Sequence, residues 1–178
     1  VALHRRQALL HNVNNLPPLP WLLTFTLNFY IIKYGQGFLF FIVFLWSISV
    51  EEQFYTVLGV FLKYAKKLFV PFCILLIAMS LVFRFSYIHQ SANIYFNSLS
   101  WIGTFASGGL LAYFCIHKGK VFESLKNIPL WVTSLVYMLF ILNFIFYKQL
   151  YASDFMTAIE RLSASLFFTF MIFEKSFC

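Results

Sequence analysis

Charged side chains are scarce in this sequence: Asp, Glu, Lys and Arg make up only 11% of its 178 residues, against about 25% in soluble domains. In their place the chain is 61% hydrophobic and 22% aromatic, with 25 phenylalanines. A soluble fold of this length has too much surface to hide so many apolar side chains. The composition therefore excludes an ordinary soluble domain and indicates a chain that lies in the lipid bilayer.

Cysteine and acidic residues are also few. The 3 cysteines, Cys73, Cys115 and Cys178, follow no spacing pattern, which argues against a disulfide framework and against a metal site. Acidic residues number 6 against 13 basic ones, giving a formal charge of +7. The basic residues lie in short clusters between apolar runs, as in loops at an inner membrane surface. We therefore expect the bilayer, and no nucleic acid, as a partner.

The two ends of the chain suggest a piece of a longer protein. The first residue is Val rather than Met, residues 1–15 are polar and basic, and no short cleavable signal is visible. The last apolar run stops at Phe177 and Cys178. We expect residues 1–178 to form a single membrane-embedded segment.

Long apolar runs give the fold class, because a membrane-spanning helix needs roughly 20 mostly apolar residues. Five to six helices are expected, which predicts an all-α, polytopic transmembrane bundle. The candidate regions are Leu16–Ile32, Gly37–Leu62, Leu68–Phe83, Leu99–Ile116, Pro129–Tyr147 and Met156–Phe173. Pro17, Pro18 and Pro20 suit the entrance of the first helix.

The basic residues also predict an orientation, since cytoplasmic loops are usually enriched in Lys and Arg. Alternate connections carry nine basic residues on one side and three on the other, with Arg161 inside a helix. The richer set is Arg5, Arg6, Lys63, Lys66, Lys67, Lys118, Lys120, Lys126 and Lys175, and the poorer set is Lys33, Arg84 and Lys148. Both ends of the segment are therefore expected to face the cytoplasm.

The segment from Trp46 to Tyr55 places two adjacent glutamates in an apolar region. A structural interpretation is a helix that starts near Ser49, because Ser49-x-x-Glu52 is a capping-box pattern. Glu51 points about 100° away from Glu52 on a helix, so one can cap while the other faces a cavity. Ser47, Glu51 and Tyr55 share one face at i, i+4 spacing and could line a polar pocket.

The ten residues WSISVEEQFY resemble the central motif of the acyltransferase 3 family, with one Leu-to-Ile exchange. A second segment, Tyr95-Phe96-Asn97-Ser98 followed by residues 108–112, is similar to a later helix of that family. Thr26-Leu27-Asn28 is similar to the family's sequence ahead of the motif. The resemblance covers roughly residues 16–116.

The resemblance implies a bacterial inner-membrane enzyme of about ten helices that lacks its first helices here. Such enzymes transfer an acyl group, commonly acetyl from acetyl-CoA, to a hydroxyl of a surface carbohydrate or lipid-linked glycan. Acyl-CoA is then a donor substrate and no cofactor is bound. We interpret Glu51 and Glu52 as the candidate catalytic residues. The candidate substrate-binding residues are Trp46, Ser47, Ser49, Gln53, Tyr55 and Arg84.

The chain departs from the family in two places. The family has an Arg and a His with ten residues between them in its first helix, and no Arg here stands eleven positions before a His. We therefore expect this segment alone to be inactive. Many members also carry Arg and Asp where this chain has Trp101 and Gly103.

Other polar residues allow two interpretations each. Arg84 is either an interfacial anchor or the ligand of an acceptor phosphate. Glu160 and Arg161 indicate a charged pair near a helix end. His117 indicates a loop on the cytoplasmic side, which could also contact the phosphates of CoA. Gly103, Gly108 and Gly109 predict close helix packing or room for an acyl chain.

The function predicted is therefore a membrane acyltransferase. Intramembrane charges also mark transport pathways, so a polytopic transporter or a non-catalytic membrane protein is the alternative.

Overall fold

The structure, a computed structural model, describes residues 17–35, 44–117, 122–123 and 126–177. No strand occurs within these ranges, so the all-α prediction is confirmed for them. Predictions that concern residues 1–15, Lys118, Lys120 and Cys178, and the start of the region Gly37–Leu62, lie outside the described residues.

Nine α-helices are labelled in chain order in the described ranges, and a 3-10 turn at Lys66–Leu68 joins α3 to α4. They are α1 (Leu19–Leu23), α2 (Leu27–Tyr34), α3 (Leu45–Ala65), α4 (Phe69–Ser86), α5 (Ser91–Phe96), α6 (Ser98–His117), α7 (Leu130–Ile145), α8 (Tyr147–Leu150) and α9 (Asp154–Phe177).

The predicted first span is divided into two short helices. Pro18 precedes α1 and Pro20 lies in its first turn, which confirms that these prolines form a helix entrance. The helix stops after 5 residues, and Phe25 takes a left-handed conformation with φ of 53° before α2 begins. With α2 only 8 residues long, neither helix can cross a bilayer by itself.

Helix α3 begins at Leu45, four residues before Ser49. The Ser49 hydroxyl donates a hydrogen bond to the Leu45 carbonyl at 3.1 Å, as serines inside helices commonly do. The capping-box interpretation of Ser49 and Glu52 is therefore wrong, because the helix is already formed where the cap was expected. Both glutamates lie in the second and third turns of α3 rather than in its first turn.

Three helical runs are long and apolar enough to cross a membrane: Leu45–Ser86, Ser91–His117 and Asp154–Phe177. Helix α7 is mostly apolar but has only 16 residues. Large apolar side chains remain exposed on these helices, for example Ile116 at 76%, Leu130 at 83% and Phe144 at 81%. Such surface is costly in water and favourable against lipid, which supports a membrane protein.

The chain divides into two compact units. The first contains the described residues up to Lys66 together with His89–Ser100, and in it α2 packs against both α3 and α5. The apolar core of the first unit consists of Leu27, Ile31, Trp46, Val50, Phe54, Ile94 and Phe96. Aliphatic and aromatic side chains thus surround the part of α3 that carries the motif.

The second unit contains Lys67–Ile88 and the described residues from Trp101 onward. In it α4 packs against α9. Its buried apolar residues are Phe69, Cys73, Leu76, Ala106, Phe122, Ala158 and Phe173.

Gly103 on α6 lies at a close helix contact in this second unit. A Cβ atom at Gly103 would stand 2.9 Å from the Ser80 Cβ and 3.4 Å from the Ile77 Cα, whereas a Cβ at Gly108 would meet no described atom within 4 Å. A Cβ at Gly109 would touch the Phe69 ring at 3.4 Å. Close packing was thus predicted correctly for Gly103 and Gly109 but not for Gly108.

We expect Gly103→Ala to destabilise the protein by about 1–3 kcal/mol, because the added methyl group overpacks the contact between α4 and α6. Gly108→Ala is the matched control and should be neutral or slightly stabilising, since alanine favours a helix over glycine. The melting temperatures of the two variants are compared in the same detergent. Fluorescence-detected size-exclusion chromatography measures the fraction of intact protein after heating. Equal melting temperatures would contradict the close contact at Gly103.

Candidate functional site

The motif residues lie along the first half of α3, with one face packed into the first unit. Trp46, Ser49, Val50 and Phe54 are all buried. Their separations of three and four residues place them on one side of the helix. The remaining motif positions are half-buried or exposed.

Trp46 is held between two aromatic rings of α5. Its ring centroid lies 5.3 Å from that of Tyr95 and 5.2 Å from that of Phe96, the latter edge to face. Its side chain is only 8% exposed. These contacts account for Trp46 as a packing residue that fixes α3 against α5, and its predicted role in substrate binding stays a prediction.

The motif's two serine hydroxyls bond to carbonyls of the preceding helical turn. Ser47 Oγ donates to the Phe44 carbonyl at 2.9 Å, in parallel with the Ser49 bond to Leu45. Ser47 is half-buried and Ser49 is buried, while Tyr55 is 55% exposed. The face shared by Ser47, Glu51 and Tyr55 therefore lies at the border of the packed side.

Glu51 and Glu52 occupy different surroundings, as the helical spacing predicted. Glu51 is half-buried and Glu52 is exposed. In the part of the chain that the structure describes, neither carboxylate has a hydrogen bond or an ion pair. A carboxylate in an apolar helix costs about 2.5–3.5 kcal/mol at mid-membrane unless water or a partner compensates. Glu51, at the edge of the packed side, is the better candidate for contact with a ligand.

Gln53 belongs to a ring of three hydrogen-bonded side chains. Its Nε2 donates to Asn28 Oδ1 at 3.0 Å, Asn28 Nδ2 donates to Ser98 Oγ at 2.9 Å, and Ser98 Oγ donates to Gln53 Oε1. The same Gln53 Nε2 also donates to the Phe25 carbonyl at 2.5 Å. The Gln53 amide is thus engaged within the protein, and its predicted contact with substrate stays a prediction.

Asn28 and Ser98 had not been singled out as site residues from the sequence. Asn28 is fully buried and Ser98 is 9% exposed. Asn28 Nδ2 makes a further bond to the Phe96 carbonyl at 3.3 Å. Asn28 ends the segment Thr26-Leu27-Asn28, and Ser98 ends the segment that starts at Tyr95. The resemblance of both segments to the acyltransferase 3 family is the sequence signal that could have identified the two residues.

Arg84 is buried near the end of α4, in the second unit. It is 2% exposed, and its guanidinium donates to the Ala158 carbonyl at 2.6 Å and to the Thr157 carbonyl at 2.5 Å. Glu160 Oε2 lies 3.9 Å from Arg84 Nη2, and the Tyr147 hydroxyl donates to Glu160 Oε1 at 2.6 Å. Arg84 therefore ties α4 to α9. Its burial contradicts the prediction of an interfacial anchor, because such an anchor extends to the headgroups. Its contacts favour a structural role within the protein over that of a phosphate ligand.

Arg161, next to Glu160 on α9, stacks on Trp101 of α6 with its guanidinium carbon 3.7 Å from the ring centroid. This distance is typical of a cation–π contact. Glu160 and Arg161 follow Asp154, the first residue of α9, by six and seven positions. They therefore lie nearly two turns into α9 rather than at its end, and both contribute to contacts between helices.

His117, at the end of α6, stacks on Tyr113 with ring centroids 4.0 Å apart, and its Nδ1 lies 2.9 Å from the Tyr113 carbonyl oxygen. Its predicted contact with CoA phosphates depends also on Lys118 and Lys120, which lie outside the described residues. Within the described ranges no three His, Cys, Asp or Glu residues are grouped so that they could hold a metal ion.

A scan against models of protein families, a search of curated proteins and a search of solved structures each return no match for this chain.

Proposed function

We propose that this chain belongs to a bacterial inner-membrane O-acyltransferase of the acyltransferase 3 type. The donor is an acyl-CoA, with acetyl-CoA the first candidate, and the acceptor is a hydroxyl of a surface carbohydrate or lipid-linked glycan. The protein crosses the membrane several times, with five to six helices in this segment and both of its ends in the cytoplasm. The candidate catalytic residue is Glu51, with Glu52 as its neighbour on α3.

The observation that carries the proposal is the meeting of three segments. Each of the three stretches with a family resemblance contributes one member of the hydrogen-bonded ring: Asn28, Gln53 and Ser98. Trp46 of the central motif also packs on Tyr95 and Phe96 of the second stretch. Separate stretches of sequence that resemble one family and form one cluster are what a shared site requires.

Glu51 supports acyl transfer through its chemistry and its position. A half-buried carboxylate without a protein partner among the described residues can accept a hydrogen bond from the acceptor hydroxyl, or from a histidine that takes the hydroxyl proton. The hydroxyl oxygen then attacks the thioester carbonyl, the carbon–sulfur bond breaks, and the proton passes to the leaving thiolate of CoA. The products are an ester and free CoA.

The test is acyl transfer in membranes that contain the protein as its gene encodes it. Membrane vesicles receive acetyl-CoA labelled in the acetyl group, and the label in the lipid-linked glycan and polysaccharide fractions is measured. We expect label that mild alkali removes, as it does for esters, and no such label with membranes from cells that lack the gene. Unlabelled fractions with every acyl-CoA tried, together with gene-dependent solute uptake by the vesicles, would favour a transporter instead.

A further inference from the structure

The ring formed by Asn28, Gln53 and Ser98 is closed and directional. Each side chain donates one hydrogen bond to the next and accepts one from the previous member: Gln53 to Asn28, Asn28 to Ser98, and Ser98 to Gln53. Hydrogen bonds weaken steeply as their angles depart from linearity. A closed ring of this kind therefore tolerates only a narrow range of orientations of the helices that carry it.

The ring joins the motif helix to two other segments of the first unit. Asn28 lies on α2, Gln53 on α3 and Ser98 at the first residue of α6. Gln53 also donates to the carbonyl of Phe25, the residue with a left-handed backbone between α1 and α2. Non-glycine residues in that conformation are uncommon and need support from their surroundings. Gln53 thus holds the turn ahead of α2 as well as α2 itself.

We propose that Asn28, Gln53 and Ser98 are positioning residues that fix the rotation of α3 about its axis and so determine which glutamate faces the acceptor. This inference rests on the proposed function. Gln53 follows Glu52 by one residue and Glu51 by two, so the three side chains point in directions about 100° apart in succession. A rotation of α3 by one such step would place Glu52 where Glu51 was and Glu51 where Val50 was.

The apolar neighbours of Gln53 cannot select this rotation as strictly. Val50 and Phe54 are buried on the same side of α3, so their packing opposes a full step, but apolar burial is not directional and tolerates smaller rotations. The ring is directional, and losing one member removes a hydrogen bond from buried Asn28 or Ser98, which is unfavourable in a protein interior. Rotation of α3 therefore has to break the ring.

The kinetic test uses Ser98→Ala, which removes one donor and one acceptor of the ring. A catalytic group misplaced by about 1 Å can lower the rate about 100-fold. We expect kcat to fall by about that factor while KM for acyl-CoA changes less than about threefold, the pattern of an interaction needed only in the transition state. Ser98→Thr keeps the hydroxyl and should restore most of kcat.

Ser107→Ala is the matched control. Ser107 is a buried serine of the second unit that donates to Thr104 and Ser165, so the chemical change is the same but the ring stays intact. Its kcat should stay within about threefold of the unsubstituted protein. If S98A and S107A lower kcat equally, the loss reflects a missing buried hydroxyl in general and the positioning role is wrong.

A second measurement does not depend on catalysis. A nitroxide spin label is attached at position 51 or 52, through E51C or E52C, after the native cysteines are replaced by alanine. Its collisions with oxygen and with a water-soluble nickel chelate are then measured in lipid vesicles. The label at 51 should collide less often with the nickel chelate than the label at 52, and S98A should abolish that difference. An unchanged difference in S98A would overturn the proposal.

The two measurements separate two kinds of failure. If the protein transfers no acyl group at all but S98A alters the spin labels as stated, the proposed function fails while the ring still fixes the rotation of α3. Should S98A not accumulate in the membrane, Asn28→Asp tests the same ring, because aspartate keeps the acceptor for Gln53 and loses the donor to Ser98. N28D with normal kcat and normal accessibility of both spin labels would also overturn the proposal.

Discussion

Glu51→Gln is expected to lower acyl transfer by about 100-fold or more, the range that a positioned acid or base typically contributes. Glutamine keeps the size of the side chain and its helix preference. It removes the negative charge with which Glu51 would accept a hydrogen bond from the reacting hydroxyl or from a histidine. Because Glu51 has no protein partner among the described residues, the substitution should leave the fold intact. Transfer from labelled acetyl-CoA at equal amounts of membrane-inserted protein measures the effect.

The neighbouring glutamate provides the matched control for this substitution. Glu52 is exposed, whereas Glu51 is half-buried at the edge of the packed side of α3. Glu52→Gln makes the same chemical change one residue away and should reduce transfer by less than about fivefold, as expected for a group outside the transition state. A larger loss in E52Q than in E51Q would assign the catalytic role to Glu52, and full activity in both would remove the carboxylates from the mechanism.

Arg84→Met is expected to have the largest effect on stability. The guanidinium lies at 2% exposure and bonds to the Ala158 and Thr157 carbonyls, with Glu160 at 3.9 Å. Replacing the guanidinium removes its hydrogen bonds to these two carbonyls, and a hydrogen bond to a charged group contributes about 1.5–3 kcal/mol. Glu160 is 29% exposed and keeps its bond from Tyr147. We therefore expect R84M to accumulate poorly and to unfold at a markedly lower temperature in detergent.

An exposed ion pair on the same helix α9 supplies the comparison. Lys175 lies 3.1 Å from Glu174 and is 73% exposed, and such surface pairs contribute about 0–1 kcal/mol. Lys175→Met should therefore unfold close to the unsubstituted protein. If R84M melts as K175M does, Arg84 does not tie α4 to α9 and the interpretation of Arg84 as a ligand of substrate becomes the better one.

The helical fold follows from the sequence where the chain is long, apolar and uninterrupted. The region predicted over Leu99–Ile116 forms α6, Ser98–His117, and that over Pro129–Tyr147 forms α7, Leu130–Ile145. Length and hydropathy are local properties, so the sequence alone is sufficient to predict these helices. The same length and hydropathy favour a membrane as the environment of these helices.

The division of the first predicted span could not be read from its hydropathy. Leu16–Ile32 is apolar nearly throughout, yet Phe25 interrupts it with a left-handed turn whose carbonyl is bonded by Gln53, 28 residues later in the chain. A contact at that separation leaves no local pattern. The region therefore resembles one helix in sequence and forms two in the structure.

The capping-box pattern failed for a similar reason. Ser49-x-x-Glu52 has the residues of a helix start, but a pattern of four residues does not show whether the residues before it are already helical. Leu45 and the buried Trp46 precede Ser49 in the same helix, and Trp46 is fixed there by Tyr95 and Phe96. Tertiary packing of the aromatic rings places the helix start earlier than local propensity suggests.

The candidate site was predictable in its central stretch but not in its supporting contacts. The motif pointed to α3 and to Glu51 and Glu52, whereas the ring joins residues separated by 25, 45 and 70 positions. Hydrogen-bond partners at such separations are selected by the fold. The fold, and no local sequence pattern, therefore identifies Asn28 and Ser98 as partners of Gln53.

Mass spectrometry of the cell-envelope glycans tests the central proposal most directly. Glycans are compared from cells with the intact gene, cells without it, and cells whose gene carries E51Q, at equal protein levels in the membrane. The proposal predicts an ester-linked acyl group on a carbohydrate hydroxyl in the first sample alone. Identical acylation in all three samples would contradict it.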